Sequence, residues 1–321
     1  MSALSSPLPI ATRKSPLALA QALEVQALLA KAHGVAERDK DAAFPILGLV
    51  STGDKIQDRT LLEAGGKGLF TKEIDEAQLD GRAAFAVHSM KDVPTTLPAG
   101  LELGAVLERE DPRDVLISSG GETRLEDLPE GCVFGTASLR RQSQLLNLRP
   151  DIKVIPLRGN VGTRLSKLAA GEVHATFLAK AGLNRLGHQL DNAAPIDPDT
   201  MLPAAAQGAV GVTIRSGDKN ARALLEPLHH APTALAIAAE RGFLAALDGS
   251  CRTPIAAYVN NVSMDFTAEV LTPDGQMKWR ESRSVDMSGL SLSDADQIGR
   301  ELGAIVKSAA GEHLSRVFLA S

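Results

Sequence analysis

The chain has 321 residues and a formal net charge of -5, with 44% hydrophobic and 23% charged residues. This length predicts two or three domains, and the acidic balance weighs against a dedicated nucleic-acid-binding protein. No apolar run approaches the roughly 20 residues of a membrane helix, and residues 1–9 lack the pattern of a secretion signal, so we expect no membrane partner. Two cysteines, Cys132 and Cys251, are too few for a disulfide framework and indicate the cytoplasm.

The first part of the chain alternates predicted strands and helices. Strands are predicted at 10–12, 44–50 and 84–87, with the middle and last of them buried, and a helix is predicted at 70–79. Ser15 and Pro16 are typical of the cap and first residue of another helix, and Gly34 is typical of the position just after its end. This alternation predicts a parallel α/β lobe.

A second unit repeats the pattern. Strands are predicted at 132–134, 153–157 and 175–179, and helices at 139–148 and 161–170, with Cys132 as a small core residue in the first strand. Residues 210–214 form a predicted strand that returns to the first lobe. After Pro232 a long helix, alternating strands at 258–271, a turn at 272–275 and a final helix at 294–310 predict a small α+β domain.

Seven basic residues and one acid, Asp151, lie between Thr136 and Lys167. Several of the arginines follow predicted strands and open predicted helices, where free backbone N–H groups and the helix dipole favour anions. A basic turn at 11–15 occupies the equivalent place in the first unit. Three such turns together predict a site for a ligand with several anionic groups, although any single arginine is better explained as a solvated one.

Polar residues also follow the predicted strand at 84–87. Asp92 is a candidate acid, base or cation-stabilising group, with a backbone-capping turn before Pro94 as the equally good alternative. His88 by itself is better explained as a hydrogen-bonded structural histidine. Lys67, in a glycine-rich stretch that lacks the spacing of a phosphate loop, is predicted to lie on a mobile lid at 52–68.

Cys251 lies on a predicted loop of small residues that leaves room for a group on its sulfur, and Arg252 favours the thiolate. On its own, an incidental loop cysteine is the better explanation. No group of His, Cys and carboxylate residues has the spacing of metal ligands, so we expect no metal.

These segments, taken together and in order, resemble the hydroxymethylbilane synthase (porphobilinogen deaminase) family. The likeness runs in one register from about residue 10 to residue 254, and 255–321 match mainly in pattern. The matching stretches are 11–18, 65–70, 87–94, 109–114, 135–141, 157–164, 181–186, 207–209 and the loop around Cys251.

The resemblance implies an α/β fold with two domains like those of periplasmic binding proteins, around a cleft, and a smaller C-terminal α+β domain with a three-stranded antiparallel sheet. Its implied boundaries are 1–108 plus 207–228, 112–202 and 231–321. The implied enzyme is a cytoplasmic monomer that joins four porphobilinogen molecules head to tail into hydroxymethylbilane and releases ammonia. The implied cofactor is dipyrromethane, bonded to Cys251 by a thioether.

The resemblance also implies roles for individual residues. Asp92 would stabilise the cationic azafulvene that remains when ammonia leaves. The implied cofactor-binding residues, besides Cys251, are Ser89, Lys91, Thr136, Ser138, Arg140 and Arg141. The implied substrate-binding residues are Arg13, Ser15, Arg158, Arg164, Arg185 and Gln207, with Lys67 and Phe70 on the lid.

Two other functions compete with the enzyme. One is a non-enzymatic, two-lobed anion-binding protein, which would normally be exported. The other is a nucleic-acid binder that uses the basic span at 136–167, which the overall acidity and the ten aromatic residues (eight Phe, one Tyr, one Trp) disfavour.

Overall fold

The structure, a computed structural model, describes residues 6–55, 70–190, 193–249 and 253–314. Within these ranges the strands are β1 (Ile10–Arg13), β2 (Ile46–Leu49), β3 (Phe85–Ser89), β4 (Leu101–Val106), β5 (Asp114–Ser118), β6 (Val133–Gly135), β7 (Lys153–Ile155), β8 (Ala175–Ala179), β9 (Ala193–Pro195), β10 (Val210–Arg215), β11 (Ile255–Asn260), β12 (Asp265–Leu271) and β13 (Lys278–Ser284). The α-helices are α1 (Pro16–Ala32), α2 (Lys40–Ala43), α3 (Thr52–Lys55), α4 (Lys72–Leu79), α5 (Leu139–Leu148), α6 (Val161–Ala169), α7 (Lys180–Arg185), α8 (Lys219–Leu225), α9 (Ala231–Ala246) and α10 (Leu292–Ala310).

The chain divides into two compact units, of which unit 1 comprises Met1–Arg109 and Ala209–Ala234. Its five-stranded sheet has the order β2-β1-β3-β10-β4, and β10 runs antiparallel to both of its neighbours. Helix α1 begins as predicted, since Ser15 Oγ accepts a hydrogen bond from the backbone N–H of Ala18 and Pro16 is the first helical residue. Gly34, just after the helix, has a φ of +66°, which glycine adopts without strain.

Unit 2 comprises Glu110–Gly208 and Leu235–Ser321. Its first sheet has the order β7-β6-β8-β5-β9, with β6 parallel to β7 and β8 and with β5 antiparallel to both of its neighbours. Its second sheet is the antiparallel β11-β12-β13, whose core is shared with α9 and α10. The predicted α/β class and the three-stranded antiparallel sheet are therefore confirmed, whereas the predicted boundaries of three separate domains stay a prediction.

Helices α9 and α10 approach each other closely enough to require glycine at the contact. A Cβ atom built on Gly299 of α10 would lie 1.9 Å from the carbonyl oxygen of Ala239, and one on Gly242 would lie 2.2 Å from the carbonyl oxygen of Asp296. The backbones could not keep these positions if either glycine carried a side chain.

Three details of the prediction are wrong. The sheets are mixed rather than parallel, because β10 and β5 run against their neighbours. Strand β2 is half-buried rather than buried, because it is the edge strand of its sheet. Cys132 lies one residue before β6, next to the turn at Gly131, and is only partly buried against the core.

Candidate active site

A pocket in unit 1 contains the predicted acid Asp92. The carboxyl ends of the neighbouring strands β1 and β3 meet there, as the parallel pairing of these strands requires. Strand β1 ends at Arg13, and a single 3₁₀ turn, Met90–Asp92, continues from β3. The cavity has a volume of about 50 Å³, and its lining comprises Arg13, Ser15, Leu17, Ala18, Gln21, Phe70, Thr71, Val87, His88, Ser89 and Asp92.

Arg13 and Asp92 bring opposite charges together in this pocket. Arg13 Nη1 lies 3.9 Å from Asp92 Oδ2, and the two side chains are 21% and 33% exposed, so both can be reached from solvent. The guanidinium of Arg13 also lies over the ring of Phe70, with its central carbon 4.4 Å from the ring centroid. This cation–π contact holds Arg13 beside Asp92.

His88 is a buried residue in the wall of the pocket, and its tautomer follows from its neighbours. Gln78 Nε2 donates to the carbonyl oxygen of Thr213, which fixes the amide orientation, and Thr213 Oγ1 then donates to Gln78 Oε1. Because the only hydroxyl hydrogen of Thr213 is used, His88 Nε2 must donate to Thr213 Oγ1, 3.2 Å away. Burial, with a smaller effect of Arg13, lowers the pKa of His88 to about 4. The prediction of a structural histidine is confirmed.

The polar residues around Asp92 are tied to the scaffold. Gln21 Nε2 of α1 donates to Ser89 Oγ at 2.8 Å, and Lys91 is half-buried in the 3₁₀ turn. Gln21 is 3% exposed. Sequence reasoning missed it because a glutamine inside a helix gives no signal of its burial.

In unit 2 the predicted anion-binding residues Arg140 and Arg141 point into the protein. Ser138 caps α5 by accepting from the backbone N–H of Arg141, and the two arginines are 5% and 6% exposed. Arg140 Nη2 and Arg141 Nη2 each lie 2.7 Å from one oxygen of Asp114. Burial alone pushes the pKa of Asp114 up, but the two arginines outweigh it and hold the pKa well below its usual range.

The other predicted ligands of unit 2 lie on the segments that follow β6, β7, β8 and β9. Thr136 Oγ1 accepts from the backbone N–H of Ser138, and Arg164 Nε donates to the carbonyl oxygen of Gly159. Arg185 Nη1 donates to the carbonyl oxygen of Gly208. Gln207 Nε2 donates to Asp114 Oδ1 at 3.0 Å. Asp114 therefore joins three predicted site residues, although it was not predicted itself.

Two predicted residues, Cys251 and Lys67, lie outside the described residues. Within the described ranges, no group of three His, Cys, Asp or Glu residues could hold a metal ion. Helices there are too short or too polar to cross a membrane.

Two family models match the chain. The one described as "Porphobilinogen deaminase, dipyromethane cofactor binding domain" matches residues 8–223, and "Porphobilinogen deaminase, C-terminal domain" matches residues 234–307. The chain belongs to the porphobilinogen deaminase family. It is a transferase that polymerises porphobilinogen into hydroxymethylbilane, a step of tetrapyrrole biosynthesis, and its cofactor is dipyrromethane.

Curated relatives agree with this family. The chain is 49% identical to the porphobilinogen deaminase of Caulobacter vibrioides over 313 residues, which cover 95% of this chain and 97% of the relative. It is also 49% identical to that of Phenylobacterium zucineum over 312 residues, covering 94% and 96%. Among solved structures it is similar to a putative methionine-binding lipoprotein from Bacillus subtilis, with 13% identity, a TM-score of 0.41 and coverage of 71% and 92%. The family models and curated relatives favour the enzyme over the alternative of a non-enzymatic binding protein.

The arginines of unit 2 fit the carboxylate-bearing cofactor of the porphobilinogen deaminase family. Arg141 Nε and Arg158 Nη1 are buried, and neither has a hydrogen-bond partner among the described residues. A buried guanidinium N–H without a partner is costly, and a carboxylate is the acceptor that suits it best. Arg141 lies on α5, Ser138 is the N-cap of that helix, and Thr136 lies two residues before Ser138.

Proposed function

We propose that Asp92 is the catalytic carboxylate of this transferase and that arginines hold the carboxylates of the pyrroles. Cys251 carries the cofactor through a thioether. The proposed cofactor-binding residues are Ser89, Lys91, Thr136, Ser138, Arg140 and Arg141. The proposed substrate-binding residues are Arg13, Ser15, Arg158, Arg164, Arg185 and Gln207.

The observation that carries the role of Asp92 is the composition of its pocket. Among the lining residues, Arg13 and Asp92 are the charged ones, since His88 is neutral at ordinary pH. A carboxylate that is one third exposed can accept a hydrogen bond from a pyrrole N–H. Arg13 would repel a cationic pyrrole, so its guanidinium suits a substrate carboxylate instead.

When bound, dipyrromethane supplies the two-ring primer to which porphobilinogen units are added. The departure of ammonia leaves a positive charge on the substrate pyrrole. A carboxylate about 4 Å from that charge stabilises it by about 4 kcal/mol at an effective dielectric constant of about 20. Since a tenfold rate change corresponds to about 1.4 kcal/mol, Asp92 would supply a rate factor of about a thousand.

The substitution Asp92→Asn tests this role, because it keeps the shape of the side chain and removes its charge. We expect cofactor-loaded Asp92→Asn to consume porphobilinogen about a thousand times more slowly at unchanged stability. Asp80→Asn is the matched control, because Asp80 is an exposed acid of the same unit that pairs with Arg82. Consumption of porphobilinogen by Asp92→Asn at the wild-type rate would contradict the proposed role of Asp92.

Intact-protein mass spectrometry tests the attachment of the cofactor. We expect the purified protein to exceed its sequence mass by two pyrrole units, and we expect Cys251→Ser to lose this excess. Cys132→Ser is the control and should keep it. An unmodified wild-type mass, or a Cys251→Ser protein that keeps the excess, would contradict the assignment.

We also propose that the enzyme acts as a cytoplasmic monomer without a nucleic-acid partner. The net charge of -5 and the burial of Arg140 and Arg141 support this proposal, because these two arginines are not part of a basic surface. Gel filtration should give the mass of one chain, and DNA should not be retained at physiological salt. A dimer peak or salt-sensitive DNA binding would contradict it.

A further inference from the structure

Three proposed ligand-binding residues of unit 2 converge on one buried carboxylate. Asp114 is 0% exposed at the first position of β5. Its Oδ2 accepts from Arg140 Nη2, and its Oδ1 accepts from Arg141 Nη2 and Gln207 Nε2. The second terminal nitrogens of the arginines donate to backbone carbonyls, Arg140 Nη1 to Leu202 and Arg141 Nη1 to Phe177. Each guanidinium is thus held at two points.

The charges of this cluster do not cancel. Two guanidinium groups face one carboxylate, which leaves one buried positive charge in excess. The next acid, Glu269, pairs with Arg280 at 3.5 Å and also attracts Arg140, so it offsets only part of this excess. Within the described ranges, Arg141 Nε has no acceptor. An excess buried charge with an unsatisfied donor is costly, so the cluster is complete only when a further anion binds.

We propose that Asp114 is a positioning residue for the cofactor: it locks Arg140 and Arg141 in place and leaves one positive charge for a pyrrole carboxylate. This inference rests on the proposed function, in which the two arginines bind that carboxylate. With Asp114 in place, the guanidinium groups are oriented before the ligand arrives, and less conformational entropy is lost on binding.

A purely stabilising role explains the cluster less well. Buried ion pairs contribute little net stability compared with apolar residues of the same size, and a stabilising pair would need only one arginine. The hydrogen bond to Gln207 fits positioning better, because it ties a third proposed ligand residue to the same carboxylate.

The test compares cofactor loading in variants of the full chain. Asp114→Asn removes the charge, and Asp114→Glu keeps it but displaces it by one methylene. Leu128→Ala is the stability control: Leu128 is 3% exposed in a core of the same unit, and its truncation should clearly lower the melting temperature. Each protein is purified, its melting temperature is measured, and its loaded fraction is read by intact mass before and during incubation with porphobilinogen.

We expect both Asp114 variants to take up the cofactor at least about tenfold more slowly than wild type, a loss typical of removing a residue that orients a ligand-binding side chain. We expect Leu128→Ala to take up the cofactor at the wild-type rate. If Asp114→Asn does not fold, Asp114→Glu still tests the inference. A role that depends on charge alone predicts normal cofactor loading by Asp114→Glu, because this variant keeps the carboxylate. Loading by Asp114→Glu at the wild-type rate, or slow loading by Leu128→Ala as well, would overturn the inference.

Arg141→Gln separates this inference from the proposed function. If Arg141→Gln loads slowly and Asp114→Glu loads normally, the arginine binds the cofactor and only the role of Asp114 is wrong. If Arg141→Gln loads normally, the proposed ligand role of that arginine is itself wrong, and the inference about Asp114 is overturned with it.

Discussion

Replacing His88 should change how the stability of the protein depends on pH. Burial and, to a smaller extent, Arg13 lower the pKa of His88 from 6.5 to about 4 in the folded state. The unfolded chain therefore binds a proton more readily than the folded one between these two pH values. The stability that the neutral ring provides is present above pH 6.5, and it is lost as the pH falls toward 4.

The size of the effect follows from the two pKa values. Each unit of difference corresponds to about 1.4 kcal/mol, so the full loss is about 3 kcal/mol once the pH is below both values. Between pH 7 and pH 5 the loss is about 2 kcal/mol, which is large compared with the usual uncertainty of a denaturation experiment.

The assay is urea denaturation of wild type and His88→Gln at several pH values from 7 to 5. Glutamine keeps an N–H donor for Thr213 and cannot take up a proton in this range. We expect the stability difference between the two proteins to shift by about 2 kcal/mol in favour of the variant as the pH falls. His188→Gln, at a half-buried histidine of unit 2, is the control. Parallel pH profiles for wild type and His88→Gln would refute the reasoning.

Two further predictions concern stability. Burial raises the pKa of Asp75 from 3.8 to about 6, so the folded protein loses stability as the pH rises through this range and the carboxyl ionises. Asp75→Asn should therefore raise the free energy of unfolding by about 3 kcal/mol at pH 7.5 and by about half as much at pH 5. An equal effect at both pH values would contradict this. Gly299→Ala should lower the melting temperature, because the new Cβ atom would meet the carbonyl oxygen of Ala239. The control Gly162→Ala, in the exposed start of α6, should keep or raise the melting temperature. Thermal melts that rank the two variants in the opposite order would show that helix propensity outweighs packing.

Local signals predicted the elements whose ends are marked in the sequence. Helix α5 and strand β8 have the predicted bounds, and α1 has the predicted cap and first residue. Strands β4 and β5 were not predicted. Strand β5 begins with Asp114, a charge that looks unsuitable for a buried strand. Its burial is possible only because arginines from a later helix neutralise it, and a sequence window does not contain them.

The site was predicted in its residue types but not in its internal bonds. The span from Thr136 to Lys167 has many cations and a single acid, so all its arginines seemed available for a ligand. The structure brings Asp114 to two of them from outside the span. Gln21 was missed for the same reason, since its hydrogen bond to Ser89 joins residues far apart in the chain.

The position of β10 has a consequence for how the protein is made. This strand lies in the interior of the unit 1 sheet, between β3 and β4, yet the ribosome synthesises it about a hundred residues after β4. Strands β5 to β9 of unit 2 are all synthesised in that interval and can pair with one another. The middle of the nascent chain can therefore fold before the N-terminal part is complete. Until β10 has been synthesised, the edges of β3 and β4 that pair with it stay unpaired, and such edges are prone to aggregation.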